Sequence, residues 1–579
     1  MTTEPSIGGQ RIAAEAGSPR PEAWIWRRPE AEVAADGGDG PLAGLRLAVK
    51  NNVDVRGVPT TAACPGFAQG PAEADAPAVA GLRAAGAVLV GATNLDQFAT
   101  GLVGQRSPYG GVRSAHRATH VSGGSSSGSA VAVAVGEADI AIGTDTAGSG
   151  RVPAAFNGIV GIKPTVGTVS TDGVVPACRS YDTLTIFARD PGTASLAMAA
   201  MAGGAGTRAW PADAPLAAPP AARVAVPDGL PAMAPGWAEA FAAAADRLRA
   251  DGCAVEPVPF APFLEAARLL YDGALVAERH AAVGAFVDAH LDDAGAGLDP
   301  TVAGIIHRAG RVTGSALARD QARLRDLHRE CTVLLDGFDA LLVPTAPFHP
   351  SAAEVAADPL GANARLGTYT NFCNLLDLCA VAVPSGTVDE GEAGAAQFGV
   401  TVVARAFHDA VALDLAVRVM VPAVPPAETF PGADLAPPEG APPPPWPAAL
   451  TGSVDLFVVG AHLRGQPLEG ELRALGARWA GEAATAPAYR LAALDTVPPK
   501  PGLSRVTAGG ASIAGEIWQL TPGALGRFLA ALPAPMTLGR VELADGRRAV
   551  GFGATADAIA AGQDITAHGG WRAWLATGP

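Results

Sequence analysis

Lysine is nearly absent from this chain: its 579 residues contain only Lys50, Lys163 and Lys500. Where a residue is so scarce, each copy calls for a specific reason. Cysteine is sparse as well. The six thiols, Cys64, Cys178, Cys253, Cys331, Cys373 and Cys379, include no C-x-x-C pair, and only Cys331 has a histidine close by, His328. That spacing excludes a disulfide framework and a zinc set and leaves buried thiols. His116 and His120 have H-x-x-x-H spacing but lack the glutamate of H-E-x-x-H, so no metal is expected there or elsewhere. No apolar run approaches a membrane span, since stretches such as Ala130 to Val135 end within a few residues. Met1 to Arg20 lacks a basic start followed by an apolar core, so a cytoplasmic enzyme without a secretory signal is the expectation. Positive charge is also short. The net charge of −15 repels nucleic acid and anionic membranes, and an anionic substrate would need a local arginine to overcome that field.

What is present is a large apolar share, 49% of the chain and much of it alanine, with 71 glycines and 50 prolines dispersed as turns. Apolar strands alternate with helical stretches from Leu45 onward. Leu45 to Lys50, Ala87 to Val90, Ile140 to Ile142, Ala340 to Val343 and Cys379 to Val383 read as strands. Pro77 to Ala85 and Gly128 to Val135 read as helices. This predicts an α/β fold with a mixed central sheet flanked by helices, its active site at loops leaving strand ends. Residues 1–40 are weakly patterned and are expected to lie over the surface of a catalytic domain spanning 1–421. The proline-rich stretch 422–452 reads as an extended linker. Residues 453–579 then form a smaller β-rich domain.

Two serine-rich segments carry the chemistry: Gly123-Gly124-Ser125-Ser126-Ser127-Gly128-Ser129 and Gly143-Thr144-Asp145-Thr146-Ala147-Gly148-Ser149-Gly150-Arg151. Neither contains the lysine of a phosphate loop. A serine hydroxyl needs a base within hydrogen-bond reach, and a lysine can serve if burial keeps it neutral. Lys50, at a strand end, is the candidate. With Lys50, and with matching spacings, the two segments resemble the amidase signature family. That resemblance implies a Ser–cis-Ser–Lys triad: Ser149 the acyl-forming nucleophile, Ser125 the bridging serine after a cis Gly124–Ser125 peptide, and Lys50 the terminal base. It further implies an oxyanion hole from the N–H groups of Thr146, Ala147, Gly148 and Ser149, with Arg151 in support and no cofactor. Asp145 is expected to hold the nucleophile loop, Asp96 to cap a helix, Lys163 to make a structural ion pair, and Cys64 to be core.

Pro59-Thr60-Thr61-Ala62-Ala63-Cys64-Pro65, Asn94 to Gly104, Gly148 to Asn157 and Gly173 to Ser180 resemble the allophanate hydrolases of that family, and Ala147 and Gly150 fit the same type. Their substrate is a small anion, urea bearing a carboxylate, which arginine reads through paired donors. The segment Leu269 to Arg279 resembles the one that grips this carboxylate, which assigns Tyr271 and Arg279 to substrate binding; Ala274 and Leu275 replace a more usual Pro-Trp pair. Residues from Ser453 resemble the C-terminal domain of the same enzymes, which implies a γ-glutamylcyclotransferase-like fold. His462 there is either a second catalytic residue, for decarboxylating the first product, or structural, and the module may alternatively serve assembly. The resemblance also implies a homodimer, and functional coupling to a separate urea carboxylase, since no biotin site occurs in this chain. Three other readings stay open: a broader amidase acting on biuret or malonamide-like compounds, the amidase component of a tRNA amidotransferase, and an inactive amidase-fold scaffold. The acidic charge weighs against the second and the intact serines and lysine against the third.

Overall fold

The computed structural model describes residues 18–578 other than 35, 37, 205, 432, 434 and 436–445. These fall into two compact units. The first takes in the described residues of 1–209 and 221–443, and the second those of 210–220 and 444–579. A boundary drawn along the chain alone would not place the excursion Trp210–Pro220 with the second unit.

The first unit is built on an eleven-stranded mixed sheet. Its strands are β1 (Trp24–Arg27), β2 (Arg46–Lys50), β3 (Val88–Thr93), β4 (Ile140–Asp145), β5 (Val160–Lys163), β6 (Thr183–Ala188), β7 (Arg223–Pro227), β8 (Ala254–Val258), β9 (Ala340–Pro344), β10 (Leu378–Asp389) and β11 (Ala395–Arg405). Their order is β1-β3-β2-β4-β6-β5-β10-β11-β9-β7-β8. The sheet centre is buried on both faces, which is why β2, β3 and β4 are near-continuous apolar runs rather than alternating ones. β2 lies parallel to β4, with Val49 opposite Ile142, so Lys50 and the residues after Gly143 leave the sheet at the same edge. The helix Ser127–Ala134, which packs on β4, is buried on every side and carries no amphipathic signal. Small residues make that burial feasible: a Cβ on Gly128 would stand 2.1 Å from the Ala23 carbonyl oxygen.

Three features depart from the expected layout. Trp24–Arg27 is not surface covering but an edge strand antiparallel to β3, anchored by Trp24, which is 1% exposed. Four residues are too few to announce a period. β10 does not stop at Val383 but runs through Pro384. Its register with β11 shifts between Pro384 and Thr387, and β5 pairs with it only as far as Ala382, so the missing N–H breaks no ladder on that side. Trp446–Thr451 is helical although it falls within the expected extended linker. The buried Trp446 anchors it, and Pro447 sits in its first turn, where proline is tolerated. Residues 436–445 of that linker lie outside the described residues.

The second unit is β-rich. A five-stranded sheet is formed by β12 (Val454–Val458), β13 (Arg478–Ala484), β16 (Ala514–Leu520), β17 (Met536–Glu542) and β18 (Arg548–Ala554). A three-stranded one is formed by β14 (Tyr489–Leu494), β15 (Lys500–Arg505) and β19 (Gln563–Asp564). Phe457, Trp518 and Trp571 are among the side chains of its core.

Candidate active site

Lys50 ends β2 and is wholly buried. Its Nζ is 2.7 Å from the Ser125 Oγ and 2.7 Å from the Thr144 Oγ1. The Gly124–Ser125 peptide is cis. Burial disfavours the ammonium and pushes the Lys50 amine down to about 7, while the more distant carboxylates of Asp96, Asp145 and Asp182 pull the other way. The neutral amine is therefore well populated near pH 7, as a base requires.

The loop after β4 carries Ser149, which is 4% exposed. Asp145 holds that loop. Its carboxylate accepts from the Gly148 N–H and the Gly150 N–H, both at 2.9 Å, and from Arg151 Nε at 3.0 Å and Nη2 at 2.8 Å. Burial by itself would raise the Asp145 carboxyl, but the Arg151 guanidinium and these bonds hold it below its ordinary value. Arg151 reaches onward to the Thr370 carbonyl and the Asn374 Oδ1. Gly148 has φ +134°, and a Cβ there would stand 2.4 Å from the Thr370 Oγ1, so only glycine fits.

The Gly148 N–H corrects one expectation. It turns inward to Asp145 rather than outward to an oxyanion. The N–H groups of Thr146, Ala147 and Ser149 have no acceptor among the described residues and remain open. Thr146 is fixed from the side by its hydroxyl, which donates to Asp182, and Asp182 also accepts from the Ala177 and Cys178 N–H groups.

Two further expectations change. Asp96 stands at the N-cap position of the short turn Gln97–Ala99, but its side chain makes no capping bond. Its buried carboxylate accepts from the N–H groups of Val103, Gly104 and Arg106, and it packs so close beneath Gly124 that a Cβ there would stand 2.1 Å from its Oδ2. Lys163 has no carboxylate within salt-bridge distance among the described residues, and donates to the Pro164 carbonyl at 2.6 Å. Cys64 is buried, its Sγ bonded to the Ala296 carbonyl.

Arg279 lies in the first turn of the helix Ala277–Ala289 and is 1% exposed. Its Nη2 donates to the Tyr271 hydroxyl at 2.9 Å and its Nη1 to the Thr100 Oγ1 at 3.1 Å, with the guanidinium over the Tyr271 ring. Its Nε has no partner, and no carboxylate lies within salt-bridge distance among the described residues. Leu275, four residues before it, is fully buried.

In the second unit His462 is 6% exposed, stacked on Phe552 at 5.0 Å and 3.0 Å from the Glu471 Oε2. Burial lowers its pKa, and Glu471 opposes that shift. It lines a cavity of about 430 Å³ together with Glu471 and Lys500. No group of metal-ligating side chains occurs among the described residues.

Reading the sequence missed Thr144, Thr100 and Asp182. Thr144 sits inside a quoted motif and alternates toward the lysine. The Thr100 partner Arg279 lies 179 residues on, and although Asp182 bonds the nearby Ala177 and Cys178 N–H groups, its link to Thr146 spans 36 residues and leaves no local signal.

The Asp145–Arg151 pair yields a prediction. Arg151→Met leaves a buried carboxylate unpaired and should cost roughly 3–5 kcal/mol in the stability of the first unit. Denaturant unfolding followed by tryptophan fluorescence checks this, and an unchanged midpoint would show that the pair does not hold the loop.

Residues 22–413 match the amidase family model, and residues 454–576 match that of the allophanate hydrolase C-terminal domain. The solved allophanate hydrolase of Kluyveromyces lactis superposes with a TM-score of 0.84 at 37% identity, covering 99% of this chain and 95% of that one. The urea amidolyase of Saccharomyces cerevisiae is 40% identical over 562 residues, which is 92% of this chain. The chain spans only 30% of that relative's length and 32% of the Lachancea kluyveri urea amidolyase. A glutamyl-tRNA(Gln) amidotransferase component from Symbiobacterium thermophilum is 35% identical over 60% of this chain and 78% of its own length. This chain belongs to the amidase family, hydrolases of amide C–N bonds, and carries an allophanate hydrolase C-terminal domain.

Proposed function

We propose that this chain hydrolyses allophanate through Ser149, Ser125 and Lys50. The observation that carries the substrate is Arg279. A guanidinium 1% exposed, with a free Nε and no carboxylate beside it, is an uncompensated buried cation. A small carboxylate would complete it, and the Tyr271 hydroxyl, already accepting from Arg279, keeps its own proton to donate. The similarity to the K. lactis allophanate hydrolase along nearly the whole chain supports the same substrate.

In this mechanism neutral Lys50 takes the Ser125 proton as Ser125 takes that of Ser149. The Ser149 Oγ attacks the ureido carbonyl carbon, and the developing oxyanion meets the N–H groups of Thr146, Ala147 and Ser149. The relay returns the proton to the terminal nitrogen, the C–N bond breaks and ammonia leaves. Water, deprotonated by the same relay, cleaves the acyl-enzyme and releases N-carboxycarbamate. In the second unit, His462 and Lys500 line a cavity together with Glu471, and His462 is assigned a part in the breakdown of that dianion: uptake of one proton and loss of one carbon dioxide give carbamate, and a second proton and a second carbon dioxide lost give ammonia. The similarity to the urea amidolyases supports linkage to a urea carboxylase as the source of substrate.

Ammonia release from allophanate, malonamate, biuret and simple neutral amides tests the substrate. Neutral amides outpacing the anions would overturn it in favour of a broad amidase. Arg279→Gln should raise the Michaelis constant for malonamate at least tenfold and hardly alter that for a neutral amide. An equal effect on both would remove its carboxylate role. Ser149→Ala should abolish acyl-enzyme formation detected by mass spectrometry. The pH dependence has a definite sign. Protonated Lys50 cannot accept a proton, so kcat/KM should rise as pH climbs through about 7 and level off above it. A profile flat from pH 5.5 to 8.5 would exclude Lys50 as the base.

A further inference from the structure

Tyr271 helps line a cavity of about 710 Å³, larger than a urea-sized anion needs. Four arginines, Arg106, Arg268, Arg308 and Arg365, line it, against one aspartate, Asp272. Arg106 is buried and committed, donating to the Thr100 and Pro359 carbonyls. The other three are exposed, and none has a carboxylate within salt-bridge distance among the described residues. The nearby Glu265 is taken by Arg323 through two bonds of 2.6 Å. Arg365 rests on the Phe348 ring. Each of the three sits in the last turn of its helix, Ala261–Arg268, Pro300–Ala309 or Gly361–Leu366, a favourable place for any cation. Helix ends alone do not explain why three unpaired guanidiniums from separate helices converge on one cavity. Tyr271, which is bonded to Arg279, is among the residues that line that cavity.

We infer that Arg268, Arg308 and Arg365 form a cationic vestibule that draws small carboxylate substrates toward Tyr271 and Arg279 against the negative field of the protein. With a net charge of −15, an anion approaching elsewhere is repelled. A cleft lined by one sign of charge focuses the field and raises local substrate concentration, an effect commonly worth about 10–10³ in association rate. The vestibule acts at a distance through charge, so it contributes to capture and not to the chemical step. It rests on the anionic-substrate reading above.

The test uses the full chain, with kcat/KM for malonamate measured from low salt to about 0.5 M, where charges are screened within a few ångströms. Wild type is compared with R268Q/R308Q/R365Q and R268K/R308K/R365K. The glutamine variant should fall about tenfold at low salt, with the gap closing as salt rises. The lysine variant should keep the wild-type salt dependence, because it keeps the charge. A glutamine variant with the wild-type salt slope overturns the vestibule. So does a lysine variant that behaves like the glutamine one, since guanidinium contacts rather than charge would then matter. Malonamide is the neutral arm, and a parallel loss on it would also overturn the proposal. Wild type that cleaves malonamide as fast as malonamate defeats the substrate reading itself, a result distinct from any of these.

Discussion

The first unit depends on burying one amine without giving it a counter-ion in contact. Lys50 is enclosed completely, and its two nearest polar neighbours are hydroxyls, those of Ser125 and Thr144. Three buried carboxylates stand in its electrostatic surroundings, and direct contact with any of them would keep the amine protonated. Each is instead engaged by the backbone of a loop. Asp96 holds the turn from Val103 to Arg106, Asp145 holds the loop from Gly148 to Arg151, and Asp182 holds Ala177 and Cys178 together with Thr146. The same carboxylates that shape the three loops are thereby kept out of contact with the amine. Burial depresses the Lys50 amine, and the three carboxylates, engaged with their loops, oppose that shift only from a distance.

How much of this is legible in the sequence follows from where the partners lie. The strand ends carrying Lys50 and the β4 loop can be read, because continuous apolar runs such as Leu47–Val49 and Ile140–Ile142 mark buried parallel strands. The pairing of serine segments with a scarce lysine is legible because short motifs carry it. The oxyanion loop is legible only in part. Residue types show that Thr146 to Ser149 can present N–H groups, but whether a given N–H faces outward depends on Asp145, which turns Gly148 inward. Asp96 reads as a cap because a carboxylate before a short helical turn has a local use. Its real use is contact with a turn seven to ten residues on and with Gly124. Trp24–Arg27 and Trp446–Thr451 escape a reading of the sequence for another reason: both are short and are stabilised by a single buried tryptophan rather than by periodicity.

Charge is organised at two scales. Over the whole molecule acids outnumber bases, 56 to 41, while the first unit gathers unpaired arginines around one approach. A buried arginine with no acid in contact is unfavourable in the empty protein, its desolvation offset by hydrogen bonds to Tyr271 and Thr100, the Tyr271 ring and the more distant Asp182 carboxylate. On the proposed reading, in which Arg279 pairs with a carboxylate substrate, that unfavourable state would make the site selective. A neutral amide leaves the guanidinium uncompensated, whereas a carboxylate pairs with it and satisfies the free Nε. Discrimination between an anion and its neutral isostere then comes chiefly from what the neutral ligand fails to repair, the stronger form of polar selectivity. In the other direction, a carboxylate on Arg279 adds negative charge near Asp182 and Lys50, which favours the ammonium form of the lysine. On the proposed mechanism, substrate binding and the protonation of Lys50 would therefore be coupled through charge.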